Sequence, residues 1–200
     1  MPQIQQRTNE RRSFSHMTQF TTREQMRDGV NELVIEGYFA VFDDVYKLWP
    51  DATESIRKGA FSGVIGTDVR ALVNHDSTLV LGRTRAGTLT LYEDDKGLHG
   101  RIVINQDDDD AMSLYARVKR GDVDQCSFGF DIAEEEVEIT DDNIHWTITR
   151  VDPLYEVSIV TFPAYEATSV TARQKDFDTI KERQSKAWRE SARQKLKKEA

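Results

Sequence analysis

Between Cys126 and Ile132 the side chains alternate without a break. Cys126, Phe128, Phe130 and Ile132 are apolar, while Ser127, Gly129 and Asp131 between them are small or polar. A period of two marks a strand whose successive side chains point to opposite faces, one apolar and one not. Comparable segments recur along the chain. Leu33 to Phe42 is apolar on both faces, as a buried strand is. Val69 to Val73 and Leu79 to Thr84 read as strands, Leu89 and Leu91 alternate within Thr88 to Tyr92, and Leu98 to Ile104 follows the turn-forming Glu93-Asp94-Asp95-Lys96-Gly97. Leu154 to Val160 repeats the alternation, with Tyr155, Val157 and Ile159 on one face and Glu156 and Ser158 on the other. The succession predicts an antiparallel meander in a fold that is mainly β with flanking helices, of the α+β class.

Two helices are expected among these strands. One spans Thr53 to Val64, with Thr53 as N-cap and Ile56, Ala60, Phe61 and Val64 on one face, although Gly59 works against it. The other opens at Asp107-Asp108-Asp109-Asp110 and ends at Arg117, Lys119, Arg120 and Gly121. Its acids lie at the positive end of the helix dipole, its bases at the negative end, and a glycine follows as cap. The same four aspartates raise a calcium or magnesium reading. An EF-hand loop needs acids at alternate positions, a central glycine and a closing glutamate, and that arrangement is missing, so no metal site is assigned.

A chain of 200 residues fits one domain with tails. Its single cysteine, Cys126, provides neither a disulfide framework nor a thiolate zinc site, and a reducing cytoplasm is the natural compartment. No stretch approaches the roughly 18 apolar residues of a membrane span, and the N-terminus lacks the apolar run of a signal peptide, so a soluble, unsecreted chain is expected. The net charge of -8 hides an asymmetry: residues 1–27 carry +3, residues 174–200 carry +4, and the body between them carries -15. These features predict a basic flexible leader over 1–29, a folded domain over 30–173 and a charged tail, helical or disordered, over 174–200. A nucleic-acid partner is not expected, because such a binder carries its basic patch on the folded body rather than on its ends.

Three residues carry chemistry at demanding places in this pattern: His75 in Val73-Asn74-His75-Asp76, Ser127 in the alternating strand, and Glu156 in Leu154-Tyr155-Glu156-Val157-Ser158. A hydroxyl, an imidazole and a carboxylate are the parts of a serine hydrolase. Gly129, two residues beyond Ser127 on the same face, leaves space for a backbone or a substrate to approach. His75 and Ser127 are 52 residues apart, and Ser127 and Glu156 are 29 apart, so only the fold can assemble them. Asp76 is the alternative third member, although neighbours on a strand point apart. His16, His99 and His145 lie in settings that suit packing or exposure. On the residues alone, a solvent-facing Ser127 and a solvated Glu156 remain open beside the catalytic reading.

The flanking residues narrow the choice. Asn74-His75-Asp76, Leu81-Gly82-Arg83, Ser127-Phe128-Gly129-Phe130, Glu156-Val157-Ser158 and Val160-Thr161-Phe162-Pro163-Ala164-Tyr165 occur in this order. Together they resemble the prohead (procapsid) maturation protease family of tailed bacteriophages, from about Gly37 to Arg173. The resemblance implies a serine endopeptidase with catalytic His75, Ser127 and Glu156, an acyl-enzyme mechanism and no cofactor. The alternating segments predict about six to eight strands, and the resemblance implies that they close into an antiparallel β-barrel similar to the herpesvirus assembly protease. The implied partners are the major capsid protein or a scaffold protein, cut inside the immature procapsid in the host cytoplasm and followed by self-cleavage, with Arg173 a plausible boundary. A homo-oligomer stays open, and no membrane partner is expected. Phe177, Ile180, Trp188 and Leu196 suit a weakly amphipathic tail helix that binds scaffold. Two other readings remain: a catalytically silent scaffold or capsid-associated binding module of the same fold, and a small β-barrel binding domain in which the three residues never meet.

Overall fold

The computed structural model describes residues 3–6, 12–17, 20–27, 29–140, 143–162, 182 and 186. In chain order the strands are β1 (Gln3–Gln6), β2 (Arg12–Met17), β3 (Thr21–Arg27), β4 (Val30–Val41), β5 (Tyr46–Trp49), β6 (Ala52–Ile56), β7 (Arg70–Val73), β8 (Asp76–Arg83), β9 (Leu89–Glu93), β10 (Gly97–Ile104), β11 (Gln125–Ile139) and β12 (Ile144–Val160). Helix α1 (Asp109–Arg120) joins β10 to β11, and a 3₁₀ turn occupies Thr84–Ala86. All of these belong to the first of two units, Met1–Tyr165 and Glu166–Ala200. The expectations for the tail over 174–200 and for self-cleavage near the boundary at Arg173 lie outside the described residues, apart from Glu182 and Lys186.

The strands form two sheets. The larger is built on the long hairpin β11–β12, with β1 and β2 antiparallel along the outer edge of β11. On the far edge of β12 lie β6 and β7, extended by β5 and β8 respectively. The smaller sheet runs β3-β4-β10-β9, antiparallel throughout. Both sheets contribute to one core, in which Ile35, Phe39 and Ile102 of the small sheet join Phe128, Phe130 and Ile159 of the large one. Phe61 packs edge-on against Phe128, ring centroids 5.5 Å apart, in that core. The fold of this unit is therefore mostly β, with twelve strands where about six to eight were expected and one α-helix among its described residues where two were expected.

Several expectations need correction. β12 pairs in parallel with both β6 and β7, so the large sheet is mixed. Parallel neighbours require a crossover, and the chain between β7 and β12 supplies it through β9, β10 and α1. Among the described residues no pairing closes either sheet into a barrel. The helix expected over Thr53 to Val64 is instead strand β6 followed by turns. Gly59 has φ +90°, outside helical space, and Thr53 and Ser55 are held as strand residues by bonds to His145. Ile56, Ala60, Phe61 and Val64 are nevertheless buried, as the apolar pattern required.

The segment expected as a flexible leader, 1–29, carries β1, β2 and β3. β3 is a polar edge strand, held by its ladder to β4 and by side-chain pairs such as Arg23 Nη2 to Glu36 Oε1 at 2.5 Å and Gln25 Nε2 to Glu32 Oε2 at 2.8 Å. Hydrophobic periodicity does not register such a strand. The aspartate run does begin a helix: Asp108 is the N-cap of α1, its Oδ1 accepting from the Asp110 and Ala111 amides, and Gly121 closes the helix at φ +86°. Among the described residues no helix is long and apolar enough to cross a membrane.

Candidate active site

Register on the β11–β12 ladder creates the site. Ser127 stands opposite Ser158 and Gly129 opposite Glu156, so the four positions share one face of the sheet. The other face carries Cys126, Phe128, Val157 and Ile159, all buried in the core. Alternation places Ser127 and Glu156 away from the apolar side as expected, yet neither is solvated: Ser127 is 0% exposed and Glu156 2%. Tyr155 departs from its expected place on the apolar face. The ladder slips between Gly129 and Phe130, Leu154 takes the core position opposite Phe130, and Tyr155 is 37% exposed with its hydroxyl donating to Asp131 Oδ2 at 2.7 Å.

His75 arrives from the other side of β12. β7 runs parallel to β12, with Leu72 paired to Ser158 and Val73 to Ile159, and then turns back into β8 through Asn74 and His75. Both turn residues have positive φ, +50° and +61°. That is the geometry of a two-residue hairpin whose twist matches its strands, a conformation Asn and His accept more readily than most side chains. Asn74 ties the turn to β12, its amide donating to the Ile159 carbonyl at 3.0 Å and its Oδ1 accepting from the Thr161 amide at 2.9 Å. The His75 amide donates to Ser158 Oγ at 3.2 Å.

This placement brings His75 Nδ1 to 2.8 Å from Glu156 Oε1. A carboxylate oxygen accepts, so the hydrogen of this bond sits on Nδ1. The second carboxylate oxygen, Oε2, accepts from the Ser158 hydroxyl at 2.6 Å. Gly129 is what admits the carboxylate: a Cβ there would stand 2.5 Å from Glu156 Oε1. The space expected for a substrate or a backbone is filled by Glu156 itself.

Two buried atoms on this face lack a hydrogen-bond partner, Ser127 Oγ and His75 Nε2. The structure thus joins His75 to Glu156 and leaves the His75–Ser127 bond unmade. Asp76, the alternative third member, is exposed and engaged elsewhere: its Oδ1 accepts from the Thr78 hydroxyl at 2.7 Å and amide at 2.8 Å, bonds that hold its carboxyl below the usual carboxylate range.

His99 and His145 have structural settings. His99 lies between Tyr38 and Tyr92, with ring centroids 5.0 and 4.7 Å away, and burial lowers its pKa. His145 bridges Thr53 Oγ1 at 2.8 Å and Ser55 Oγ at 2.9 Å. Among the described residues no group of three His, Cys, Asp or Glu is placed to hold a metal. Sequence reasoning gave Ser158 and Asn74 no role. Ser158 was visible two residues from Glu156 on the same face, whereas the Asn74 bonds depend on a parallel pairing that no local pattern announces.

A family model described as "Caudovirus prohead serine protease" matches residues 18–183. A relative named "Prohead protease", from Enterobacteria phage HK97, is 28% identical over 143 residues, covering 70% of this chain and 59% of that protein. The chain therefore aligns with less than two thirds of that relative's length. A solved structure of the bacteriophage T4 capsid assembly protease, gp21, aligns with a TM-score of 0.49 at 14% identity, covering 78% of this chain and 100% of that one.

Proposed function

The chain belongs to the caudovirus prohead serine protease family, and from that premise we propose that it is a serine endopeptidase of procapsid maturation with Ser127 as nucleophile, His75 as general base and Glu156 as orienting carboxylate. The observation that carries the residue assignment is the 2.8 Å His75–Glu156 bond beside the unpartnered Ser127 Oγ and His75 Nε2. In this reading His75 Nε2 removes the Ser127 proton as Oγ attacks the scissile carbonyl, then returns it to the departing amine, leaving an acyl-enzyme. Water, activated by the same imidazole, releases the acyl group. Glu156 fixes the tautomer and stabilises the imidazolium that forms at each step. Its low exposure strengthens that interaction, because little solvent screens it.

The substrates in this proposal are a scaffold protein or the scaffolding segment of the major capsid protein, and then the protease itself. The compartment is the interior of the immature procapsid in the host cytoplasm. The likeness to the herpesvirus-type fold belongs to the same proposal, supported by two sheets that share one core and not by strand closure, which the described pairings lack. A catalytically silent binding module is the competing reading, and the complete burial of Ser127 is the observation on its side.

A fluorophosphonate probe applied to the chain in assembling proheads separates the two. The protease reading expects labelling at Ser127 that is abolished by Ser127→Ala and by His75→Ala. An unlabelled chain in proheads whose scaffold is being cut would overturn it.

A further inference from the structure

We propose that Ser158 is a positioning residue, whose hydroxyl locks Glu156 and the His75 turn into one unit. The inference rests on the protease reading of the same face and adds a member to its machinery. Ser158 is 0% exposed and sits opposite Ser127. Its Oγ makes two contacts with different consequences. It donates to Glu156 Oε2 at 2.6 Å, and it accepts from the His75 amide at 3.2 Å.

The first contact sets the carboxylate plane. Glu156 has one oxygen on His75 Nδ1 and the other on Ser158, so rotation of the carboxylate would break both bonds together. Without the hydroxyl, Oε2 becomes a buried charged acceptor with an unmade bond. The side chain is then driven to seek another donor, carrying Oε1 away from Nδ1. The second contact sets the imidazole's origin. His75 lies at φ +61° in a two-residue turn, and its amide is held by a side chain of the very strand that carries Glu156. One hydroxyl therefore fixes both the main chain of the base and the side chain of its partner.

Packing alone does not call for a serine here. The position faces away from the core residues Val157 and Ile159, and an alanine would fill nearly the same space. What alanine removes is the hydrogen bonding. A buried hydroxyl with a charged acceptor on one side and a main-chain donor on the other is satisfied in both of its roles.

The test uses the full chain with Ser158→Ala and Ser158→Thr, read in two ways. Peptide hydrolysis is followed for kcat and KM, and NMR follows the hydrogen-bonded His75 Nδ1 proton in a Ser127→Ala background that prevents self-digestion. Ser158→Ala is expected to lower kcat on the order of 10- to 100-fold with KM little changed, the scale on which outer partners of ligating histidines act. It should also shift or broaden the Nδ1 proton signal, and Ser158→Thr should restore both. An Nδ1 signal unchanged by Ser158→Ala overturns the proposal, whether or not kcat falls, since a kcat loss without it marks a packing defect. If the parent chain cleaves nothing, the protease reading fails separately. The NMR comparison still decides whether Ser158 positions the pair.

Discussion

A methyl group on Gly129 would meet Glu156 Oε1, the oxygen that accepts from His75, at 2.5 Å. The clash falls on the far end of a flexible side chain rather than on backbone, so the fold has an inexpensive escape and the site does not. Gly129→Ala should displace the carboxylate and lower peptide hydrolysis by about 10²-fold, the cost of an ångström-scale misplacement. The urea midpoint should fall much less than for a core truncation of the about 2–5 kcal/mol kind. Kinetics and denaturation on the same preparation check both parts.

Residues Arg12–Met17 occupy the outer edge of β11 along Gln125 to Phe130, beside the candidate nucleophile. An extended substrate that added a strand to this edge would have to displace them. Deleting residues 1–19 should therefore raise the rate of peptide cleavage, on the order of tenfold for an occlusion worth about 1.4 kcal/mol. A steady-state comparison of the deletion and the parent chain tests this, and an unchanged rate would show that substrate does not use the β2 edge.

His99 predicts a pH signature of stability rather than of activity. Burial depresses its folded pKa below the ordinary 6.5, so the unfolded chain binds a proton more readily than the folded one. Stability from this group is complete above the unfolded value and is lost as pH falls from there through the folded pKa. Urea midpoints measured between about pH 5 and 8 should decline toward acid, and the decline should be smaller in His99→Phe, which keeps a ring between Tyr38 and Tyr92.

Much of this was legible in the sequence, and the reason differs by element. The face of Ser127 and the face of Glu156 followed from a period of two, because alternation is a property of the strand itself. The cap at Asp108 and the stop at Gly121 followed from local helix-end chemistry. The pairing of His75 with Glu156 did not, since it depends on β7 lying parallel to β12 across 81 residues of chain. The family resemblance pointed to it where periodicity was silent. The polar strand β3 escaped for another reason: its hold on β4 comes from the main-chain ladder and charge pairs. Thr53 to Val64 misled because apolar spacing fits a helix and a strand-plus-turn alike, and His145, which fixes the answer, is 92 residues from Thr53.

The three catalytic assignments should also differ in severity. Ser127→Ala removes only an oxygen from a buried position and should leave folding nearly unchanged, while proteolysis falls by at least about 10⁴, the scale of a triad acting as a unit. His75→Ala should be comparable. Glu156→Gln should cost less, since the amide oxygen still accepts one of the two bonds that reach the carboxylate. Product quantified by mass spectrometry, with a thermal melt of each variant, checks the order.

The most direct measurement is made in assembly. Parent and Ser127→Ala chains are each produced with the cognate major capsid and scaffold proteins, and the contents of the purified shells are mapped by mass spectrometry. The parent should yield cut scaffold, and the variant should yield immature shells that retain uncut scaffold and full-length protease. Normal scaffold processing by Ser127→Ala would contradict the account and leave the silent binding module in its place.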